Sequence, residues 1–338
     1  MSANIREIAK IAGVSPATIS LVLNNRKGVG KEKREHIQKI LKEYGYVRKT
    51  NSPNARGRHS TCKIYIVRYS VNKKQDLCNF ELDARIINCI HKICHELDFQ
   101  VSIIVCNKDN FENTIASLTP EHNSGIVFIG SMFSVEQITC LNRANFHGIP
   151  VIVVDNYMMH THISSVCPDN YNISCMAVRH LHSLDIQTAS YLCGEFRTPK
   201  LCDRERGFYQ SIERLNMQAD QPIILPQDPE KAFEDMVRFL KSGVPLPQAF
   251  YAETGPLAMI AIRALHELGK RIPEEIYIIC GDDTLTTALT LPGIAVISIS
   301  YEDICRIALN LLRDQLNSNG LSGNSEHVCI SGKLTIVG

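Results

Sequence analysis

NIREIAKIAGVSPATISLVLNN (4–25) sets apolar side chains at helical spacing on either side of one glycine. Ile5, Ile8, Ala9 and Ala12 share a face of a first short helix. Gly13 follows where the chain needs a left-handed turn, a conformation glycine reaches without steric cost. Ser15 suits the cap of a second helix, and Pro16 suits its first position because the missing N–H would be unpaired there. Ile19, Val22 and Leu23 form that helix's apolar stripe. A third helix is expected from about Lys31 to Tyr44, with Ile37, Ile40 and Leu41 inward and Gly45 ending it.

Two helices joined this tightly read as a helix-turn-helix, whose second helix lies in the DNA major groove with its N-terminal residues at base edges. On that geometry Pro16, Ala17 and Leu21 face bases. Ser15, Thr18, Ser20 and Asn24 hydrogen-bond the phosphate backbone or base edges. Ala17, Leu21 and the Thr18 methyl favour thymine methyl groups over guanine. The charge distribution agrees: residues 1–60 carry thirteen Lys and Arg against four Glu, while the whole 338-residue chain has a net charge of only +1. A basic head on an acidic body suits a polyanionic partner for the head alone.

Beyond the head, KTNSPNARGRHST (49–61) is polar, basic and broken by Pro53 and Gly57, as a linker is. The expected division is a helix-turn-helix domain at 1–47, a linker or hinge at 48–61 and a body at 62–338. In the body, KIYIV (63–67), VSIIV (101–105), GIVFIG (125–130), PVIVVD (150–155), ASYLCG (189–194), AFYAE (249–253) and IYIICG (276–281) read as buried parallel strands. Helical stretches at 82–97, 171–184, 204–215, 230–242 and 257–268 alternate with them. The fold class is therefore α/β: an all-α head followed by a doubly wound body, in two lobes.

Composition narrows the function classes. With 44% hydrophobic and 21% charged residues, the chain reads as a soluble globular protein. No apolar run reaches the roughly 20 residues of a membrane span. The polar start MSANIREIAK is not a signal peptide, so a cytoplasmic protein is expected. The thirteen cysteines include no C-x-x-C, and several sit in apolar strand-like runs (Cys106, Cys193, Cys280) as small hydrophobes. His91, Cys94 and His95 share a helix but have no partner pair at finger spacing, so no metal or cofactor is expected. GVGK (28–31) lacks the rest of a phosphate loop and is a turn. No G-x-S-x-G, H-E-x-x-H or Walker pattern points to an enzyme. A periplasmic-type binding protein would share the body, but the basic head opposes it.

The words I-x-E-I-A-x-x-A-G-V-S-x-A-T-I-S-x-V-L-N and, later, Glu43-Tyr44-Gly45-Tyr46 resemble the head of the lactose-repressor (LacI/GalR) family of transcription regulators. The resemblance continues more loosely through PVIVVD (150–155), CPDN (167–170), Arg204-Glu205-Arg206-Gly207-Phe208, GKRIPEEIYIICGDD (269–283) and LPGIAVI (291–297). It implies a periplasmic-binding-protein-like body whose lobes are linked by crossings near 160, 297 and 325. It also implies a homodimer that binds a double-stranded DNA operator under control of a small-molecule effector, often a sugar or nucleotide metabolite. By position, Arg204 and Asp282 are the implied effector ligands. Asp155 also ends a strand, as a ligand or as a cap.

Several positions depart from the family pattern. Leu21 stands where many members carry Arg. Counting from Tyr46, Arg48, Lys49, Ser52, Pro53 and Ala55 stand at the hinge's Pro, Asn, Ala, Arg and Leu, and Ala55 is too small to wedge into a minor groove. Pro53-Asn54-Ala55-Arg56 offers a shifted, shorter hinge. In the effector site, Leu82 and Asp83 replace an aromatic pair, and Thr254-Gly255 replace Asn-Asp, leaving Asp83 and Thr254 as candidate contacts. An ordinary hexose fits this set poorly. For the head, Leu21→Arg is expected to change the preferred base, and Lys33→Ala or Arg34→Ala to weaken all duplexes alike. Binding measured across a randomised duplex library checks both.

Overall fold

A computed structural model describes residues 9, 11–15, 18–19, 22, 29–43, 62–71, 77–118, 123–158, 160–283, 293–317 and 325–337. The chain falls into two compact units, 1–59 and 60–338. In the first, the Val14 N–H donates to the Ala9 carbonyl at 3.0 Å across Gly13, whose φ is +63°. This six-residue closure is the glycine-terminated helix end expected from the sequence. Ser15 Oγ then accepts from the Thr18 N–H at 3.2 Å, so Ser15 caps the following turn. Helix α1 (Lys31–Glu43) completes the head, and Ala9, Ile19, Val22, Ile37 and Ile40 form its buried core. Ile5, Ile8, Pro16, Ala17, Ser20, Leu21, Leu23, Asn24 and the hinge positions 48–61 lie outside the described residues, as does the side chain of Leu41.

The second unit is a pair of α/β lobes. Lobe 1 holds β1 (Lys63–Ser70), α2 (Leu77–Glu96), β2 (Gln100–Asn107), α3 (Phe111–Ser117), β3 (Ser124–Ile129), α4 (Val135–Arg143), β4 (Val151–Val154) and β5 (Ser164–Pro168). Lobe 2 holds α5 (Asn170–Ser183), β6 (Ala189–Gly194), α6 (Pro199–Arg214), β7 (Ile223–Leu225), α7 (Pro229–Leu240), β8 (Ala249–Ala252), α8 (Gly255–Glu267), β9 (Tyr277–Cys280) and β10 (Ile294–Ser298). The chain returns to lobe 1 for α9 (Tyr301–Asn317) and β11 (His327–Ile330), then ends on lobe 2 with β12 (Lys333–Val337).

Each lobe carries a six-stranded sheet, in the orders β11-β5-β4-β3-β1-β2 and β12-β10-β9-β8-β6-β7. Described pairings are parallel except β10 with β12. Apolar strands packed on both faces account for the near-continuous hydrophobic runs in β3, β4 and β8, whose described residues are all buried. The run at 101–105 departs from the expected buried strand. It belongs to β2, an edge strand, where Ile103 is 52% and Val105 57% exposed. The chain changes lobe around Asp169, between β10 and α9, and at residues 331–332, past the expected positions near 160 and 325. The short strands β5 and β11 carry it further along lobe 1 in each case, pairing Cys167 with Cys329 in parallel register.

Helix α6 shows why one sequence element begins earlier than its apolar pattern does. Its inward stripe is Lys200, Arg204, Gly207, Phe208, Ser211 and Ile212, so the first turns bury charges where hydrophobes would be expected. Pro199 opens the helix at a position where its absent N–H is tolerated. Further along, α5 and α6 approach closely at Gly207. A Cβ there would collide with the Tyr171 carbonyl and sit 3.2 Å from the Ser174 Cβ. Because the obstacle is backbone, Gly207→Ala is expected to lower stability by about 1–3 kcal/mol, measured as a lower urea midpoint.

Candidate functional site

Parallel strands deliver their following residues to the same side of a sheet, the place where open α/β folds hold ligands. In lobe 1, Val71 follows β1, Ser131 follows β3 and Asp155 follows β4. In lobe 2, Glu195 follows β6, Glu253 and Thr254 follow β8, and Asp282 and Asp283 follow β9. Between these two rows lies a cavity of about 440 Å³, lined from lobe 1 by Val71, Leu82, Ser131, Met132 and Tyr301. Lobe 2 lines most of it, with the first turns of α6 and α8 and the ends of β6, β8 and β9.

Three charge sets surround this cavity. Lys200 Nζ meets Asp155 Oδ2 at 2.5 Å, and the Tyr301 hydroxyl donates to Asp155 Oδ1 at 3.0 Å. Asp155 is fully buried and holds a left-handed φ of +63°, which aims it across the cleft at lobe 2. Arg204, 3% exposed, donates from Nε to Asn170 at 2.9 Å and from Nη1 to Asp282 at 3.2 Å and the Glu253 carbonyl. Burial disfavours the Arg204 charge, but Asp282, Tyr251 and Tyr301 together outweigh it, so its pKa lies above the ordinary value. Asp282 also accepts from the Gly255 N–H at 3.0 Å, tying the start of α8 to the end of β9.

Arg197 forms the third set, reaching Glu253 at 2.6 Å and Glu205 at 2.7 Å. Glu253 further accepts from the Tyr191 hydroxyl and the Gly194 N–H, each at 2.9 Å. Burial pushes the Glu253 carboxyl above the usual range, against the pull of Arg197. Arg85 of α2 bridges to Asp283 at 3.0 Å, a second pair between the lobes but a half-exposed one.

Sequence patterns support the same architecture in known proteins. The pattern of bacterial regulatory proteins of the lacI family matches residues 4–49, and a periplasmic-binding-protein-like domain matches 178–336. The chain belongs to the LacI/GalR family. The HTH-type transcriptional repressor PurR of Haemophilus influenzae (strain PittEE) is 26% identical over 320 residues, covering 93% of this chain and 91% of the relative. The HTH-type transcriptional regulator GalR of Streptococcus thermophilus is 28% identical over 323 residues, 93% of each. Among solved structures, the lac repressor dimer bound to operator and the anti-inducer ONPF aligns with a TM-score of 0.67 at 19% identity, over 99% of this chain and 98% of that one.

Within this LacI/GalR-family body, Arg204, Asp282 and Thr254 all line the cavity. Asp83 does not. It is buried on the lobe 1 side, where it accepts from Arg68 Nε at 2.7 Å and the Ser131 hydroxyl at 2.9 Å. Burial raises the Asp83 pKa, with Arg68 and Ser131 opposing. Its neighbour Leu82 faces the cavity instead. Sequence reasoning missed Lys200, Thr198, Arg197, Glu253 and Tyr301. Two signals were available: Lys200 stands one helical turn before Arg204, and Glu253 directly follows a buried strand.

In the head, Ser15 and Thr18 join their hydroxyls at 2.9 Å. That contact and the cap order the turn that follows Gly13.

Among the described residues, no group of three or more His, Cys, Asp or Glu could hold a metal ion. The pairing of Lys200 with Asp155 sets an expected energy. Lys200→Met leaves a buried carboxylate unpaired and should cost about 3–5 kcal/mol, most of it recovered in Lys200→Met/Asp155→Asn. Denaturant unfolding of the single and double variants checks this.

Proposed function

We propose that this protein is a sequence-specific DNA-binding transcription regulator that represses from an operator, and that a small molecule held between the lobes controls its operator affinity. One observation carries the reading: a capped helix-turn-helix head shares the chain with a two-lobed cleft whose walls are joined by a buried ion pair, Lys200 with Asp155. The relatives PurR and GalR carry regulator names, which supports the assignment. In this reading residues 1–47 bind DNA through Ser15, Pro16, Ala17, Thr18, Ser20, Leu21 and Asn24. Residues 48–61 link, and 62–338 bind effector and form a homodimer.

Arg204, Asp282 and Thr254 serve as effector contacts, whereas Asp83 positions Ser131 and Arg68 behind the wall. Dimerisation is favoured by the exposed apolar edge of β2, since unpaired strand edges and apolar patches seek partners. Among the described residues no helix is long and apolar enough to cross a membrane. A cytoplasmic regulator fits these properties.

A ligand moves such an equilibrium only by binding one arrangement of the lobes more tightly than the other. Lys200 and Asp155 belong to opposite lobes, so a ligand that competes with their contact couples the cleft to the lobe arrangement. Selection of genomic fragments by the purified protein at moderate salt is expected to return a small set of near-palindromic duplexes. Their affinity should fall steeply with salt, the log–log slope losing about 0.9 per phosphate contact removed. Uniform recovery of all fragments would sink the reading.

A further inference from the structure

The thiols of the body are of two kinds. Cys62, Cys94, Cys106 and Cys193 sit in apolar core clusters, and burial pushes them up to about 11 or 12. Such thiols keep their protons and pack as small hydrophobes. Cys167 and Cys329 differ. Their Sγ atoms lie 3.9 Å apart, and the two residues are register partners in β5 and β11. Cys167 is 2% exposed, whereas Cys329 is open to solvent. Contact with Cys329 and burial raise the Cys167 thiol. The same contact lowers the Cys329 thiol, although Asp169 and Asp203 oppose it. An exposed sulfur that ionises beside a buried one that does not resembles an attacking and a resolving thiol.

The backbone permits a bond between them. Paired Cα atoms of neighbouring strands lie about 4.8 Å apart, inside the roughly 4.4–6.8 Å span of disulfides. The sulfurs must close from 3.9 Å to about 2.05 Å. Strand β11 can give, because it is four residues long and stands at the edge of its sheet.

Their position gives the bond a consequence. Directly after these cysteines, β5 runs through Asp169 into α5 and β11 runs through Gly332 into β12. Both segments cross to lobe 2, and the Asp169 N–H donates to the Ile330 carbonyl between them at 2.9 Å. Cys89 of α2 likewise contacts the buried Cys305 of α9, but a bridge there would stay within lobe 1.

The geometry points to a redox-modification site, at which a peroxide oxidises Cys167 and Cys329 to a disulfide that staples two lobe crossings together. The Cys329 thiolate attacks the O–O bond of hydrogen peroxide, keeping one oxygen as a sulfenic acid and releasing the other as water. Cys167 then attacks the Cys329 sulfur, forming the S–S bond and releasing the second oxygen as water. Two thiols and one peroxide become one disulfide and two waters. In a reducing compartment the pair rests as thiols and is oxidised transiently. The site stands whether or not the cleft binds an effector.

The test treats the reduced full-length protein with a few equivalents of hydrogen peroxide, then maps its disulfides by mass spectrometry of unreduced digests. A bridge between Cys167 and Cys329 is expected, removed again by dithiothreitol. Cys329→Ser should fold normally, since the residue is exposed, and form no such bridge. In Cys167→Ala, Cys329 should stop at a sulfenic or sulfinic acid. Hydrogen exchange over 165–170 and 326–331 should slow about tenfold or more on oxidation of the unmutated protein, because β11 can no longer fray from β5. Cys329→Ser should show no such slowing.

Intact Cys167 and Cys329 thiols beside an oxidised Cys202 or Cys89 would overturn the site, as would Cys329 bridged to any other cysteine. A Cys167–Cys329 bridge that left exchange at both crossings unchanged would overturn the staple.

Discussion

The contact between Lys200 and Asp155 is the constraint around which the rest of the body is arranged. Each of these groups is far too costly to bury alone, and each belongs to a different lobe. Asp155 reaches its partner through a left-handed backbone at the end of β4, and Lys200 does so by occupying the first turn of α6. Tyr301, from the helix that follows the second lobe crossing, holds the other Asp155 oxygen. Three chain segments far apart in sequence thus fix one carboxylate.

The same requirement shapes the walls around it. Arg204 can be buried because Asp282, Asn170 and the Glu253 carbonyl satisfy its fork, and those partners lie at the ends of different elements. Glycine makes the approach possible at two points. At Gly281 a Cβ would press into the Tyr251 hydroxyl and sit 3.0 Å from the Glu253 carbonyl, so the turn carrying Asp282 stays close to β8. At Gly207, α6 lies against α5 and keeps Arg204 aimed inward. Polar matching consumes the charges, and what remains facing the cavity is largely apolar.

Much of this was legible in the sequence. The head announced its turn through Gly13 and its cap through Ser15, because local backbone demands select residue types directly. The buried strands β3, β4, β6 and β8 stood out as apolar runs for the same reason. Less legible was the start of α6, where Lys200 and Arg204 occupy inward positions and break the apolar period. The strand at 101–105 carried a core-like composition, yet it sits on a sheet edge. Asp83 looked like a site residue by position, but Arg68 and Ser131 draw it into the lobe 1 wall.

Sequence by itself determined the helix-turn-helix, the alternation of strands and helices, and the family, since each depends on local spacing and residue type. Tertiary structure alone decided which charges meet. Asp155 with Lys200, Glu253 with Arg197 and Asp83 with Arg68 are pairings between elements whose distance in the chain says nothing of their distance in space. It also decided that the buried Thr198 hydroxyl finds no partner among the described residues. Whether a buried polar group is satisfied depends on every neighbour that the fold brings to it.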